Sequence, residues 1–144
     1  MYDLIGDIHG HASELTRLLR HLGYKVTDTG YAHPSRKIIF LGDFIDRGAE
    51  HRQLLKIVMD MVRNGHALSV MGNHEFNALA YHTPNDYGYL RPHSEKNRKQ
   101  HRAFLEAFAD DPQGRAEALE FFYELPLWLD LPEFRVVHAC WHQT

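Results

Sequence analysis

The stretch KIIFLGDFIDRG, residues 37–48, joins an apolar run to a polar turn, and the interpretation of the whole chain starts from it. Residues 37–41 have the length and composition of a buried strand. Asp43, Asp46 and Arg47 follow directly. A carboxylate buried without a partner costs several kcal/mol. The acids at the end of this strand therefore predict a cation close to them.

Polar clusters also follow the other apolar runs of the chain. The clusters are GDIHG with Asp7 and His9, GNHE with Asn73, His74 and Glu75, and VVHACWH with His138 and His142. In a sheet of parallel strands, ligands bind outside the carboxyl ends of the strands. We therefore expect the four clusters to converge on one site.

The segments between these strands have helical periodicity. Apolar residues recur at helical spacing in two groups: Leu15, Leu18, Leu19 and Leu22, then Leu54, Leu55, Val58, Met61 and Val62. A further helix is expected over residues 75–81. Strands that alternate with helices predict an α/β fold with parallel strands and flanking helices.

In the second half of the chain the predicted helices and strands no longer alternate regularly. Residues 83–98 are polar and are interpreted as a long loop. Two helical patterns follow, around residues 104–108 and 119–122. Residues 127–131 and 134–139 are predicted to form a hairpin within the sheet, joined by a turn at Pro132 and Glu133.

The composition restricts the class of protein. The chain has 144 residues and a formal net charge of −3, which suits one domain over 1–144 and argues against a nucleic-acid binder. Cys140 is the only cysteine, and no apolar run has the length of a membrane span. We therefore expect a soluble, cytoplasmic protein.

Of the 12 histidines, seven are interpreted as surface residues: His21, His33, His51, His66, His82, His93 and His101.

The donor types in the clusters suit a metal site. Asp, His and Asn supply oxygen and nitrogen ligands, which fit Mn, Fe, Zn, Co, Ni or Mg. Mn is the metal expected first. The donors outnumber what one ion needs, which favours two ions sharing a carboxylate, roughly 3.5–4 Å apart. Each residue alone has a plainer interpretation, such as a helix N-cap at Asp43 or Asn73, or a packed strand histidine at His138. The combination favours the metal site.

The motifs GDIHG, GDFIDRG and GNHE, followed by VVHACW, resemble the signature blocks of the calcineurin-like metallophosphoesterases. The DRG extension is similar to the phosphoprotein phosphatase branch, which includes bacterial diadenosine tetraphosphatases and Ser/Thr phosphatases. The resemblance implies that Asp7 and His9 bind a first ion, that Asn73 and His138 bind a second, and that Asp43 bridges both.

The same resemblance implies roles for three further residues. His74 is expected to act as the general acid, Asp46 to orient it, and Arg47 to hold phosphate oxygens. The implied reaction is hydrolysis of a phosphate ester or phosphoanhydride by a hydroxide that bridges two divalent ions. The substrate is a dinucleoside polyphosphate or other small phosphate ester, or a phosphoprotein.

The chain departs from the family pattern in two ways. One more metal histidine and a second phosphate-binding arginine are normally found downstream of the block that contains His138, and the chain ends at Thr144. We expect a truncated domain that lacks the C-terminal part of the two-sheet sandwich, binds one ion tightly and associates as a homodimer. His142 is a conceivable replacement ligand. Cys140 stands where glycine is usual, and we expect it to be a small buried filler.

Two other functions remain open. A domain with an incomplete metal centre would be a non-catalytic binding or regulatory remnant of the fold. A nuclease is disfavoured by the acidic charge balance and by the DRG block.

Overall fold

The computed structural model describes residues 1–140, which form five helices and nine short strands. The helices are α1 (Ala12–His21), α2 (His51–Arg63), α3 (Asn73–His82), α4 (Glu95–Ala107) and α5 (Pro112–Glu124). The strands are β1 (Tyr2–Ile5), β2 (Lys25–Thr27), β3 (Gly30–Ala32), β4 (Lys37–Phe40), β5 (Ala67–Ser69), β6 (Pro84–Asn85), β7 (Gly88–Tyr89), β8 (Trp128–Asp130) and β9 (Arg135–Val137).

A parallel sheet with the order β1-β4-β5 forms the centre of the molecule. Its register pairs Leu4 with Ile39 and Ile39 with Leu68. Ile38, Ile39 and Phe40 of the middle strand are fully buried, as a strand must be when both faces of its sheet are covered. The predicted alternation of strands and helices is confirmed for these three strands.

One face of the sheet is covered by helices. Leu15 and Leu19 of α1 and Leu54 and Val58 of α2 are at most 2% exposed and join one apolar core. Within each pair the two residues are four positions apart, which places them on one side of the helix. The helical periodicity of the sequence therefore identified the buried faces of α1 and α2.

The opposite face of the sheet is covered by the hairpin β8–β9. Ile39 and Val70 point to this face and pack against Val136, which is 4% exposed. The hairpin was predicted to lie within the sheet, and this is wrong, because β8 and β9 pair only with each other. Alternating side chains on β4 leave an apolar second face, and the hairpin covers that face instead of extending the sheet.

The predicted long loop over residues 83–98 is also wrong. It contains the small hairpin β6–β7, and α4 begins at Glu95 after Ser94, whose hydroxyl accepts a hydrogen bond from the backbone N–H of Asn97. In α4 only His101 and Phe104 are buried, so its polar surface hides the helical period. Within residues 1–140, no helix is long and apolar enough to cross a bilayer.

Candidate metal centre

The turns that follow β1 and β4 have unusual backbone geometry. Asp7, His9, Asp43 and Asp46 all have positive φ angles, of 53°, 45°, 58° and 87°. Such angles are uncommon for residues with a side chain and are found where surrounding structure enforces them. The strain therefore falls on four residues that the sequence had marked as functional.

Gly42 and Gly72 allow two of the turns to meet. Gly42 has a φ of 86°, and a Cβ on it would collide with the backbone of Gly72. A Cβ on Gly72 would collide with the Asp43 side chain. Both positions therefore require glycine, and the close approach brings the ends of β4 and β5 together.

Glu75 connects the same two turns by hydrogen bonds. Its carboxylate accepts hydrogen bonds from the backbone N–H groups of Asp43 (2.8 Å), Phe44 (2.7 Å) and Gly72 (2.9 Å). The side chain is fully buried, and this burial raises the pKa of Glu75 to about 7 against the opposing effect of the hydrogen bonds. The sequence placed Glu75 in a polar cluster without assigning it this role.

Both predicted metal histidines are oriented by a hydrogen bond to a backbone carbonyl. The Nδ1 atom of His9 donates to the carbonyl of Ile45 at 2.7 Å, and Nδ1 of His138 donates to the carbonyl of Leu41 at 2.6 Å. A neutral imidazole with a proton on Nδ1 has a lone pair on Nε2. Each Nε2 faces Asp43 Oδ2, at 3.9 Å for His9 and 3.4 Å for His138. Hydrogen bonds of this kind orient histidines for metal binding.

The remaining predicted donors lie around Asp43. Two groups have ligand atoms within 4.8 Å of one another: Asp7, Asp43 and His138, and His9, Asp43 and His74. Asn73 joins the first group, since its Oδ1 lies 3.0 Å from Nε2 of His138. Asp43 belongs to both groups and is 5% exposed. A buried carboxylate surrounded by oxygen and nitrogen donors fits divalent cations, so the residues present suit the metal group that the sequence implied.

His74 and Asp46 form a hydrogen-bonded pair next to these donors. His74 Nδ1 donates to Asp46 Oδ2 at 2.8 Å. This hydrogen bond raises the pKa of His74, although partial burial acts in the opposite direction. Burial alone would raise the pKa of Asp46, but the hydrogen bonds from His101 and His74 lower it. The pairing favours a positive His74 next to a negative Asp46.

His101 is a site residue that the sequence interpretation missed. Its Nδ1 donates to Asp46 Oδ1 at 2.7 Å, so both oxygens of Asp46 hold a histidine. His101 is 4% exposed, and its Nε2 lies 3.3 Å from Nε2 of His82. The available signal was weak: His101 and Phe104 are three residues apart on the buried side of α4, and the buried Phe108 follows four residues later, directly after the helix.

His51 was also interpreted as a surface residue, and this is wrong. It is 1% exposed, and its Nε2 accepts a hydrogen bond from the backbone N–H of Asp46 at 2.9 Å. Burial lowers the pKa of His51 to about 4, so the ring is neutral and can act as this acceptor. His51 thereby supports the strained turn that carries Asp46.

Three predicted residues remain outside this network. Arg47 is exposed at the rim of the turn, next to Asp46 in the chain. Cys140 is exposed, so the expected buried filler is wrong. His142 lies outside the described residues.

Comparison with known proteins places this geometry in a family. The sequence model of the calcineurin-like phosphoesterases matches residues 2–139. The chain therefore belongs to the calcineurin-like phosphoesterase family. The resemblance that its motifs indicated is confirmed.

Curated relatives match part of the chain. A bis(5'-nucleosyl)-tetraphosphatase PrpE [asymmetrical] from Oceanobacillus iheyensis is 41% identical over 73 residues, which cover 50% of this chain and 29% of the relative. The protein of the same name from a Geobacillus species is 42% identical over 73 residues, covering 50% of this chain and 30% of the relative. The matched region spans less than a third of these relatives.

Solved structures share the fold. A metallophosphoesterase from Sphaerobacter thermophilus superposes with a TM-score of 0.59 and 20% identity over 93% of this chain and 44% of that one. A protein serine/threonine phosphatase from Saccharomyces cerevisiae gives a TM-score of 0.56 and 21% identity over 88% and 33%. The predicted fold class, an α/β metallophosphoesterase sheet with flanking helices, is confirmed.

Proposed function

We propose that this protein is a phosphoric ester hydrolase that depends on two divalent metal ions and acts on a phosphate ester or phosphoanhydride. The observation that carries the proposal is the position of Asp43, whose buried carboxylate belongs both to a group with Asp7 and His138 and to a group with His9. His74, the third member of the second group, is assigned to proton transfer instead. Within the described residues 1–140 no lysine or arginine forms an ion pair with Asp43. The basic side chains within 4.0 Å of its carboxylate are the imidazoles of His9 and His138, whose Nδ1 atoms donate to backbone carbonyls. Bound metal ions would balance this charge.

The proposal assigns a role to each side chain of the site. The ions are held by Asp7, His9, Asp43, Asn73 and His138. The ligand atoms of Asp7, Asp43 and His138 lie within 4.8 Å of one another, which supports the shared role of Asp43. The ions, Mn or alternatively Fe, Zn, Co, Ni or Mg, would lower the pKa of water and neutralise phosphate charge.

Two other residues, His74 and Arg47, act on the substrate, and Asp46 acts through His74. His74 donates a proton to the leaving oxygen, because its hydrogen bond to Asp46 keeps Nδ1 occupied and presents Nε2. Asp46 fixes the orientation and the positive charge of His74. Arg47, exposed at the rim, binds oxygens of the phosphoryl group that is transferred.

The relatives indicate the substrate. Proteins named bis(5'-nucleosyl)-tetraphosphatase share about two fifths of the aligned residues, which favours a dinucleoside polyphosphate. A phosphoprotein is the second candidate, since the yeast structural neighbour is a protein phosphatase. A single domain over 1–144 and a cytoplasmic location, suggested by the lone cysteine, complete the proposal.

Metal content and hydrolysis of two substrates test the proposal. The purified protein should bind Mn and hydrolyse both p-nitrophenyl phosphate and diadenosine tetraphosphate. Asp43→Asn should abolish hydrolysis and reduce bound metal, because it removes the anionic ligand that both groups share. Asp28→Asn, in the exposed β2–β3 turn, is the matched control and should keep both properties.

Two outcomes would contradict parts of this proposal. Unchanged metal content in Asp43→Asn would remove Asp43 from the shared position. A protein that binds metal and hydrolyses neither substrate would instead support a non-catalytic binding role.

A further inference from the structure

A small polar cavity opens beside His74 on the side that faces α4. It has a volume of about 130 Å³, and it is lined by Asp46, Asn73, His74, Asn77, Arg91, Asn97, Gln100 and His101. Both carboxylate oxygens of Asp46 accept hydrogen bonds from histidines, so this acid is already paired. At about 30 Å³ per water, this is room for roughly four water molecules. The cavity suits one phosphate group and is too small for a nucleoside. None of the metal donors other than Asn73 lines it.

Arg91 is held in the wall of this cavity by neutral groups. Its Nη1 donates to Asn77 Oδ1 at 2.9 Å, and its Nη2 donates to Gln100 Oε1 at 2.9 Å. Its backbone N–H donates to the carbonyl of Ala80, also at 2.9 Å, which fixes the chain at this point. Hydrogen bonds at both Nη1 and Nη2 therefore fix the orientation of the guanidinium group.

The charge of Arg91 is not balanced within the part of the chain that the structure describes. Five other arginines form ion pairs with carboxylates: Arg36, Arg52, Arg63, Arg102 and Arg135. Within residues 1–140 no carboxylate lies within 4.0 Å of a nitrogen of Arg91. Amide partners orient a guanidinium without neutralising it. A half-buried, oriented cation is a binding site for an anion.

We propose that this cavity is the leaving-group subsite and that Arg91 binds a phosphate of the leaving group. The inference rests on the proposed function, in which His74 protonates the leaving oxygen. The atoms attached to that oxygen must lie on the same side as His74, and the cavity is there. A phosphoprotein would place an uncharged serine or threonine side chain in it. A dinucleoside polyphosphate places a phosphate there, so Arg91 selects phosphoanhydrides.

The reaction balances with this assignment. The attacking water loses one proton to solvent and its oxygen forms a bond to phosphorus, while the bond between phosphorus and the bridging oxygen breaks and the bridging oxygen leaves with its electron pair. His74 supplies a proton to that oxygen. A leaving phosphate has a second pKa of about 6 and needs this proton less than an alkoxide does. Arg91 then stabilises the negative charge that develops on the leaving phosphate.

Two variants and a matched control test the subsite. Arg91→Gln removes the charge, and Gln100→Glu neutralises it in place by adding a carboxylate beside Nη2. Arg102→Gln is the matched control: it removes one positive charge from an exposed position of α4, the helix that also contains Gln100, and Arg102 pairs there with Glu106. Circular dichroism verifies that each variant is folded.

The expected result is a loss confined to substrates with a phosphate leaving group. Both test variants should lower kcat/KM for diadenosine tetraphosphate roughly 10–100-fold, as for loss of a charge-assisted hydrogen bond. Hydrolysis of p-nitrophenyl phosphate, whose leaving group is uncharged before it leaves, should stay within about twofold. Arg102→Gln should match the wild type on both.

A binding measurement separates this inference from the proposed function. Calorimetric titration with ADP in the presence of EDTA should show weaker binding to both test variants than to the wild type and to Arg102→Gln, with inorganic phosphate following the same order. Equal loss on p-nitrophenyl phosphate and diadenosine tetraphosphate would overturn the subsite, as would unchanged ADP affinity. Absence of any hydrolysis, with ADP binding still dependent on Arg91, would overturn the proposed function and the leaving-group role together, and would leave Arg91 as part of an anion-binding site only.

Discussion

Asp46 accepts hydrogen bonds from two histidines, His74 and His101, and these two histidines have different roles. His74 Nδ1 and His101 Nδ1 lie 2.8 Å and 2.7 Å from its two oxygens. A carboxylate bound on only one side can rotate, whereas one bound on both sides keeps a fixed plane. We therefore expect His101 to act on the reaction through Asp46, as a positioning residue for His74.

Replacement of His101 tests this positioning role. His101→Asn should keep bound metal and KM while lowering kcat roughly 10–100-fold, and His74→Asn should lower kcat roughly 10²–10⁴-fold. Both losses should be larger for alkyl than for aryl phosphates, because poor leaving groups need the proton most. The double variant should lose no more than His74→Asn alone, since the two residues act as one unit. Additive losses, or equal losses on both kinds of substrate, would contradict the role.

At the scale of elements, α2 and α3 each bring a neutral histidine into the region around Asp46. Burial lowers the pKa of His51 and of His82 to about 4. An unfolded histidine titrates near 6.5. Between these values the unfolded chain binds protons that the folded chain does not, so the unfolded state is favoured as the pH falls.

Glu75, whose pKa burial raises from 4.5 to about 7, acts in the opposite direction over much of this interval. Because two histidines oppose this one carboxyl group, the free energy of unfolding should still decrease as the pH drops from about 6.5 to about 4. Urea titrations in EDTA measure it without a contribution from bound metal. His51→Gln, which can still accept the hydrogen bond from Asp46 N–H, should reduce this pH dependence. His21→Gln, at an exposed position of α1, should leave it unchanged. An identical pH profile in His51→Gln and wild type would show that His51 does not titrate across folding.

At the scale of the whole molecule, the covering of the sheet leaves apolar side chains in solvent. Leu127 is 55% exposed and Trp128 57% exposed, both next to or within β8. Leu4 of β1 is 53% exposed, and within residues 1–140 no strand pairs with the outer edge of β1. Exposed strand edges and apolar patches favour contacts between molecules.

We expect the 144-residue chain to associate, with a symmetric dimer as the simplest form. Light scattering over a range of concentrations should give a mass above that of one chain. Trp128→Lys should shift the protein towards the monomer. Tyr87→Lys, at a 98% exposed position of the β6–β7 turn, should not. A concentration-independent monomer in the wild type would refute the association.

The sequence by itself determined the three-stranded parallel sheet, the helices α1 and α2, and the donors Asp7, His9, Asp43, Asn73 and His138 as candidates for one site. It could do so because periodicity is a local property, and because the carboxyl ends of parallel strands always meet at one edge. Asp7, His9, Asp43 and Asn73 follow the strands of this sheet, so topology alone brings these four donors together. His138 follows β9 of the separate hairpin and reaches the site only through the packing of that hairpin on the sheet.

Only the tertiary structure decided what surrounds these donors. The hydrogen bond between Asp46 and His101 joins residues 55 positions apart, and the one between His138 and Leu41 joins residues 97 positions apart. The hairpin β8–β9 has the same local pattern whether it extends the sheet or covers its face. The choice depends on which apolar surface is left exposed by the rest of the chain, here Ile39 and Val70, and that surface exists only after the sheet has formed.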